Sequence, residues 1–154
     1  MYRKILLCYD GTAEGRRALR QGAEVAVSMH SATYLLAICR SLLATSVPEG
    51  VTSALLSCEE DTANALLLQG VQLLKDRGVV ADGSLVYGDP LTHIPLVSQR
   101  IGADLIVVGH RSRGRLARWW SESEEVTLLS RVSCSILVAM APASGEENSV
   151  SAAK

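Results

Sequence analysis

The chain has 154 residues, is 48% hydrophobic and 20% charged, and carries a formal net charge of −1. These values are typical of one globular domain, and they exclude a general nucleic-acid-binding protein, which would be strongly basic. No apolar run approaches the roughly 20 residues that a membrane-spanning helix needs. The N-terminal apolar stretch is too short for a signal peptide. We therefore expect a cytoplasmic protein with no membrane partner and no nucleic-acid partner.

The first half of the chain alternates strand-like and helix-like segments. Lys4–Tyr9 and Thr33–Cys39 are continuous apolar runs of strand length, and residues 13–29 between them repeat apolar side chains at helical spacing. Residues 40–58 contain Ser, Thr, Pro and Gly that break any period. We predict a long loop there, although the pattern leaves a helix open. Residues 59–77 again have helical periodicity.

The second half continues the alternation. Ser84–Tyr87 predicts a third strand, and a short helix follows to about Arg100, with Thr92 as its expected N-cap. Asp104–Val108 predicts the fourth strand and Ser135–Ala139 the fifth. A helix over about residues 122–132 is predicted between them.

Strands that are continuously apolar and alternate with helices indicate an α/β fold. We predict a doubly wound, five-stranded parallel sheet flanked by helices, of Rossmann or flavodoxin type. Residues 1–140 are expected to form this domain. The polar segment 141–154 is expected to be a disordered tail.

Turn-forming residues follow three of the predicted strands: Asp10-Gly11-Thr12, Gly88-Asp89-Pro90 and Gly109-His110-Arg111. Ligands of doubly wound proteins bind at this carboxyl edge of the sheet. The alternative is that every strand-to-helix turn needs such residues. These three turns, which we call the strand tips, therefore do not establish a binding function by themselves. No metal site is expected, because the cysteines and histidines show no ligand spacing.

The segment after Gly109 combines both signs of charge. Four arginines come first and three glutamates follow: Arg111, Arg113, Arg115, Arg118, Glu122, Glu124 and Glu125. A strand that ends in Gly before a basic loop and a helix is typical of phosphate sites, because glycine admits an anion and helix amides face it. The negative charges of the three glutamates would repel a bound anion. A loop closed on itself by salt bridges therefore remains the alternative.

Four segments, in this order, resemble the universal stress protein family: KILLCYDGT, GDPLTHI, GADLIVVGHRSRGRLARWW and CSILV. The resemblance implies a small stress-response regulatory protein. It also implies a homodimer that pairs through the last strand, here Ile136, Leu137 and Val138. Some members bind ATP or AMP, with Mg²⁺ in the case of ATP, and others do not.

Nucleotide-binding members of that family resemble one another in a Gly-x2-Gly-x9-Gly-Ser/Thr pattern. On this chain the pattern begins at Gly109 and ends at Ser123, but Ser112 and Glu122 replace its second and third glycines. A carboxylate 4 Å from a phosphate charge costs about 4 kcal/mol at an effective dielectric near 20. The resemblance therefore implies a weak or vestigial adenine-nucleotide site.

The residues expected near adenine match the family better than those expected near the phosphates. The resemblance implies that Asp10 lies near the base and ribose, that Ile38 packs on the base, and that Val108 contributes backbone contacts. Arg111 and Arg113 would offset the charge of the glutamates.

No nucleophile and base show a recognisable catalytic spacing, and His110 is the one histidine placed at a promising tip. We therefore expect no enzyme, with a weak ATPase or nucleotide-gated switch as the alternative. The alternative function is a protein-interaction dimer whose phosphate site is closed by Glu122 and the arginine loop. The sequence does not assign a role to Trp119 and Trp120.

Overall fold

Strands and helices alternate along the chain, as the apolar pattern predicts. The computed structural model describes residues 1–39, 53–110 and 128–140. In these ranges the elements are β1 (Lys4–Tyr9), α1 (Ala13–Met29), β2 (Ala32–Cys39), α2 (Ser53–Lys75), β3 (Ala81–Tyr87), α3 (Pro90–Ile101), β4 (Leu105–His110), α4 (Leu128–Arg131) and β5 (Ser135–Met140). Among the described helices, none is long and apolar enough to cross a bilayer.

The five strands form one parallel sheet in the order β3-β2-β1-β4-β5. β1 lies at the centre, where Leu7 is opposite Leu35 of β2 and Val107 of β4. The chain first moves from β1 outward to β3, then crosses back to β4 and continues to β5. This reversal is the doubly wound topology, and the predicted fold class is confirmed.

Both faces of the sheet are buried, which explains why the strands are continuously apolar. Ile5 and Leu7 of β1 pack in a cluster with α1 and α2, whereas Leu6 and Cys8 pack in a second cluster with α3 and α4. Successive strand residues point to opposite faces, so a strand covered on both sides has no polar side.

Two predicted boundaries are wrong. α2 begins at Ser53, inside the predicted loop 40–58, and β3 begins at Ala81, ahead of the predicted Ser84. β3 is an edge strand of mixed polarity, and backbone pairing with β2 extends it beyond its apolar part. Hydrogen-bonded pairing therefore extends β3 where its apolar pattern is weak. Residues 40–52 lie outside the described ranges.

Thr92 is not the N-cap of α3, contrary to the prediction. The helix begins at Pro90, with Asp89 as the N-cap. Proline is well suited to the first helical position, because its φ is already helical and it has no amide hydrogen to satisfy. The Thr92 hydroxyl instead donates to Asp89 Oδ2 at 3.1 Å.

Pro95 lies inside α3 and leaves a backbone carbonyl without its helical partner. A residue with an amide hydrogen would donate to the carbonyl of Leu91, but proline has none. Arg131 of α4 replaces the missing donor, since its Nη1 donates to the Leu91 carbonyl oxygen at 3.1 Å. The proline thus creates the acceptor through which α4 is joined to α3.

Asp104 joins β1 and β4 at the amino edge of the sheet. Its Oδ2 accepts from the Arg3 amide at 2.8 Å, and its Oδ1 accepts from the Lys4 amide at 2.9 Å. Desolvation raises the pKa of this carboxyl, but backbone hydrogen bonds, among them those from the Arg3 and Lys4 amides, and the charge of Arg3 together outweigh it, so the pKa lies below the ordinary value. The ionised form therefore stabilises the fold.

We predict that Arg131→Ala lowers the free energy of unfolding by about 1 kcal/mol, because the Leu91 carbonyl loses its donor. In a Pro95→Ala background the same substitution should cost clearly less, since the helix can then supply an amide hydrogen. Urea unfolding of the four proteins in this double-mutant cycle measures the difference. An equal cost in both backgrounds would contradict the proposed coupling.

We predict that Asp104→Asn costs about 1 kcal/mol of stability at neutral pH, because one amide loses its acceptor at a solvent-exposed position. The folded-state pKa is depressed, so the stabilisation is present above the unfolded pKa of about 3.9 and is lost as the pH falls through the folded value. Urea unfolding of both proteins between about pH 7 and about pH 2.5 tests this. A difference that stays constant over the whole range would rule it out.

Candidate functional site

The carboxyl ends of the parallel strands meet at one edge of the sheet, where the three predicted tips lie. Asp10 follows β1, Gly88 follows β3, and Gly109 and His110 end β4. β1 and β4 are neighbours, and the chain order reverses between them. The crevice between these two tips is where doubly wound proteins bind ligands. We call it the β1–β4 crevice.

Asp10 organises the first turn of α1. Its Oδ1 accepts hydrogen bonds from the Thr12 amide at 3.1 Å and from the Thr12 hydroxyl at 2.5 Å. Thr12 is the N-cap, and its Oγ1 accepts from the Gly15 amide at 3.0 Å. Within the described ranges no residue donates to Asp10 Oδ2. One carboxylate oxygen is therefore committed to the turn, and the other can receive a ligand hydroxyl.

Gly109 lies directly against the backbone of α1. A Cβ at this position would be 2.5 Å from the Glu14 carbonyl carbon and 2.9 Å from the Gly15 nitrogen, closer than real Cβ contacts. Sequence reasoning assigned Gly109 to the approach of an anion. The structure shows that packing of β4 against α1 requires glycine there in any case.

β4 does not end at Val108, as predicted, but continues through Gly109 and His110. These two residues pair with Ala139 and Met140 of β5. The apolar pattern stops at Val108, whereas backbone pairing does not depend on side-chain polarity. The extension places the His110 ring at the end of the sheet.

The two histidines at this edge have different surroundings. His110 Nδ1 is buried, and no residue in the described part of the chain forms a hydrogen bond with it. His93 Nε2 lies 2.8 Å from the Tyr87 carbonyl oxygen, so its ring is bound to the β3 tip. A buried polar atom without a partner is costly, which makes His110 the better candidate for a ligand contact.

Three apolar side chains form a wall below the crevice: Cys8, Ile38 and Val108. All are buried and belong to the cluster on the α3 side of the sheet. Burial, with a smaller contribution from the Asp10 carboxylate, raises the pKa of the Cys8 thiol far above its ordinary value. The thiol therefore stays protonated at neutral pH and acts as packing and not as a nucleophile.

Half of the site predicted from sequence can be located. Asp10, Val108 and Gly109 meet at the β1–β4 crevice, and Ile38 lies on β2, the neighbour of β1 on its other side. The other four predicted site residues lie outside the described ranges: Arg111, Ser112, Arg113 and Ser123. Glu122 lies outside them as well. Across the described ranges no three potential metal-binding side chains form a cluster.

Sequence reasoning missed Glu14 and Gly15 as neighbours of the crevice. Glu14 is 8% exposed and lies in the first turn of α1, where the helix dipole favours an acid. The available signal was the pair of small and acidic residues after the Thr12 cap. Their contact with β4 carries no sequence signature.

A doubly wound parallel sheet with polar turns at its switch point places the chain among the α/β proteins of Rossmann type. The sequence profile of the Universal stress protein family matches residues 1–139, and the chain belongs to that family. No curated protein sequence matches the chain significantly.

Solved structures agree with the family assignment. A universal stress protein family member from Burkholderia pseudomallei is 25% identical with a TM-score of 0.68, covering 92% of this chain and 97% of its own. The Archaeoglobus fulgidus universal stress protein in complex with dAMP is 18% identical with a TM-score of 0.63, covering 89% and 97%. An Arabidopsis thaliana family protein with AMP bound is 17% identical with a TM-score of 0.60, covering 90% and 91%.

We predict that Gly109→Ala lowers the free energy of unfolding by about 2–3 kcal/mol, because the new Cβ overlaps the α1 backbone. Gly102→Ala is the matched control. A Cβ there meets nothing within 4 Å, and only the φ of +65° is unfavourable, at about 1–2 kcal/mol.

Thermal or urea unfolding of the two variants measures the difference. Equal losses at the two positions would show that Gly109 is not sterically required by α1.

Proposed function

We propose that this protein is a cytoplasmic stress-response regulator that binds an adenine nucleotide weakly in the β1–β4 crevice. The observation that carries the proposal is the meeting of Asp10 and Gly109 at the switch point of the sheet, above a buried apolar wall. The AMP and dAMP complexes of the Arabidopsis and Archaeoglobus proteins support the choice of ligand.

The residues at the crevice fit the parts of a nucleoside. Ile38 and Val108 provide an apolar surface for a base, and Asp10 Oδ2 can accept a hydrogen bond from a ribose hydroxyl. Gly109 offers backbone groups only, since the side on which a Cβ would stand is filled by α1. His110 Nδ1 is a buried group that a ligand could satisfy.

We assign the phosphate side to residues outside the described ranges. Ser112 and Ser123 would provide hydroxyl groups, and Arg111 and Arg113 would provide positive charge. Mg²⁺ would accompany ATP but is not needed for AMP. The role proposed is binding and regulation and not catalysis.

A second candidate function follows from the resemblance, because Glu122 replaces the third glycine of the Gly-x2-Gly-x9-Gly-Ser/Thr pattern. In that case the protein is an interaction dimer whose phosphate site is closed by Glu122 and the arginine loop. The described part of β5 supports a dimer surface. β5 pairs on one side with β4 and ends the sheet, so Ile136, Leu137 and Val138 lie on an edge strand that favours pairing with a second copy.

The test is a calorimetric titration with AMP, and separately with ATP and Mg²⁺. Before the titration, light scattering measures the mass of the protein in solution, and the purified protein is checked for nucleotide retained through purification. We predict weak binding by the wild type and at least about tenfold tighter binding of ATP by Glu122→Gln, since a carboxylate near phosphate is removed. Asp10→Asn should weaken both nucleotides, while its amide oxygen still accepts from Thr12.

Glu60→Gln is the control, because it removes the same charge from an exposed position on α2. If Glu122→Gln and Glu60→Gln behave alike and neither binds nucleotide, the interaction dimer replaces the nucleotide site as the proposed function. A monomeric mass would count against the dimer.

A further inference from the structure

Helices α1 and α2 enclose a second groove, which has none of the crevice residues in its lining. It has a volume of about 320 Å³ and is lined mainly by four arginines and two leucines: Arg16, Arg17, Arg20, Arg77, Leu19 and Leu73. We call it the arginine groove. The whole chain has a net charge of −1, so this concentration of positive charge is local.

Two of the arginines are held by neutral carbonyl groups. Arg16 Nη1 donates to the Gly11 carbonyl oxygen at 2.9 Å, and Arg17 Nη1 donates to the Met140 carbonyl oxygen at 3.4 Å. Such bonds orient a guanidinium without neutralising its charge. Each group also keeps further N–H donors, because a guanidinium has five.

The side chains of the other two arginines have no partner within the described ranges. No hydrogen bond or ion pair joins the guanidinium of Arg20 or Arg77 to a residue there. Asp76, the neighbour of Arg77 in sequence, accepts from Gln72 Nε2 at 2.7 Å. The Asp76 carboxylate is therefore oriented by a side chain outside the groove.

The positions of the arginines oppose helix stability. Arg16 and Arg17 lie near the N-terminus of α1, the positive end of the helix dipole, whereas the last turn has no basic residue. Arg16 and Arg20 are like charges spaced i, i+4, which repel each other. Glu24, four residues after Arg20, offers one favourable pair, and an anion bound in the groove would relieve the repulsion between Arg16 and Arg20.

We propose that the arginine groove binds a small anion with at least two phosphate groups. Guanidinium groups match phosphate oxygens in bidentate geometry, and four of them can pair with more than one phosphate group. The volume suits a small ligand, and Leu19 and Leu73 provide an apolar lining. The proposed ligand needs no adenine, and the lining contains none of the residues assigned to the β1–β4 crevice.

The test is a calorimetric titration with sodium pyrophosphate at low ionic strength, compared with inorganic phosphate. Arg20→Gln combined with Arg77→Gln should weaken pyrophosphate binding at least about tenfold, since two charge-assisted hydrogen-bond donors are lost. Both side chains are exposed, so the double variant should unfold at the wild-type temperature.

Lys75→Gln combined with Arg100→Gln is the control, because it removes the same charge from exposed positions outside the groove. This control should bind pyrophosphate within about twofold of the wild type. Absent binding by the wild type, equal loss in both double variants, or equal affinity for phosphate and pyrophosphate would overturn the proposal. The probe contains no adenine, so a failed nucleotide site would leave this result unchanged.

Discussion

The backbone contact between the end of β4 and the first turn of α1 determines how the carboxyl edge of this sheet is built. Gly109 lies against Glu14 and Gly15 at a distance that no larger residue permits. Gly15 is confined in turn, since a Cβ there would be 2.6 Å from Asp10 Oδ1 and 3.2 Å from the Tyr9 ring. Two glycines thus allow a helix, a strand and a turn to meet at one point.

The same β1–β4 pair is also fixed at its other end. The Asp104 carboxylate accepts hydrogen bonds from the amides of Arg3 and Lys4, so the start of β4 is bound to the start of β1. A crevice between two strands held at both ends keeps its shape better than one built on loops, and such rigidity favours selective binding. The lining of the arginine groove shares no residue with the crevice, although Arg16 is bonded to the carbonyl of Gly11 beside Asp10.

The fold could be predicted because strands buried on both faces must be continuously apolar, whatever their neighbours. The start of α3 could not be predicted from the sequence, because Asp89-Pro90 and Thr92 both have residue types that cap helices. The backbone conformation determines that Asp89 is the N-cap. The prediction of parallel strands placed Asp10 and Gly109 at one edge in advance, whereas the strand order that makes them neighbours comes from the structure. The packing of Gly109 on Glu14 could not be foreseen, since the partner is far away in sequence and contributes only its backbone.

The central claim is that an adenine nucleotide binds between the tips of β1 and β4. It is tested most directly by ¹H–¹⁵N NMR spectra of the protein during titration with AMP. The account predicts that the amide signals of Thr12, Gly15, Gly109 and His110 shift together with one dissociation constant, while those of Arg20 and Arg77 stay in place. Shifts confined to other parts of the chain, or no shifts at millimolar AMP, would contradict it.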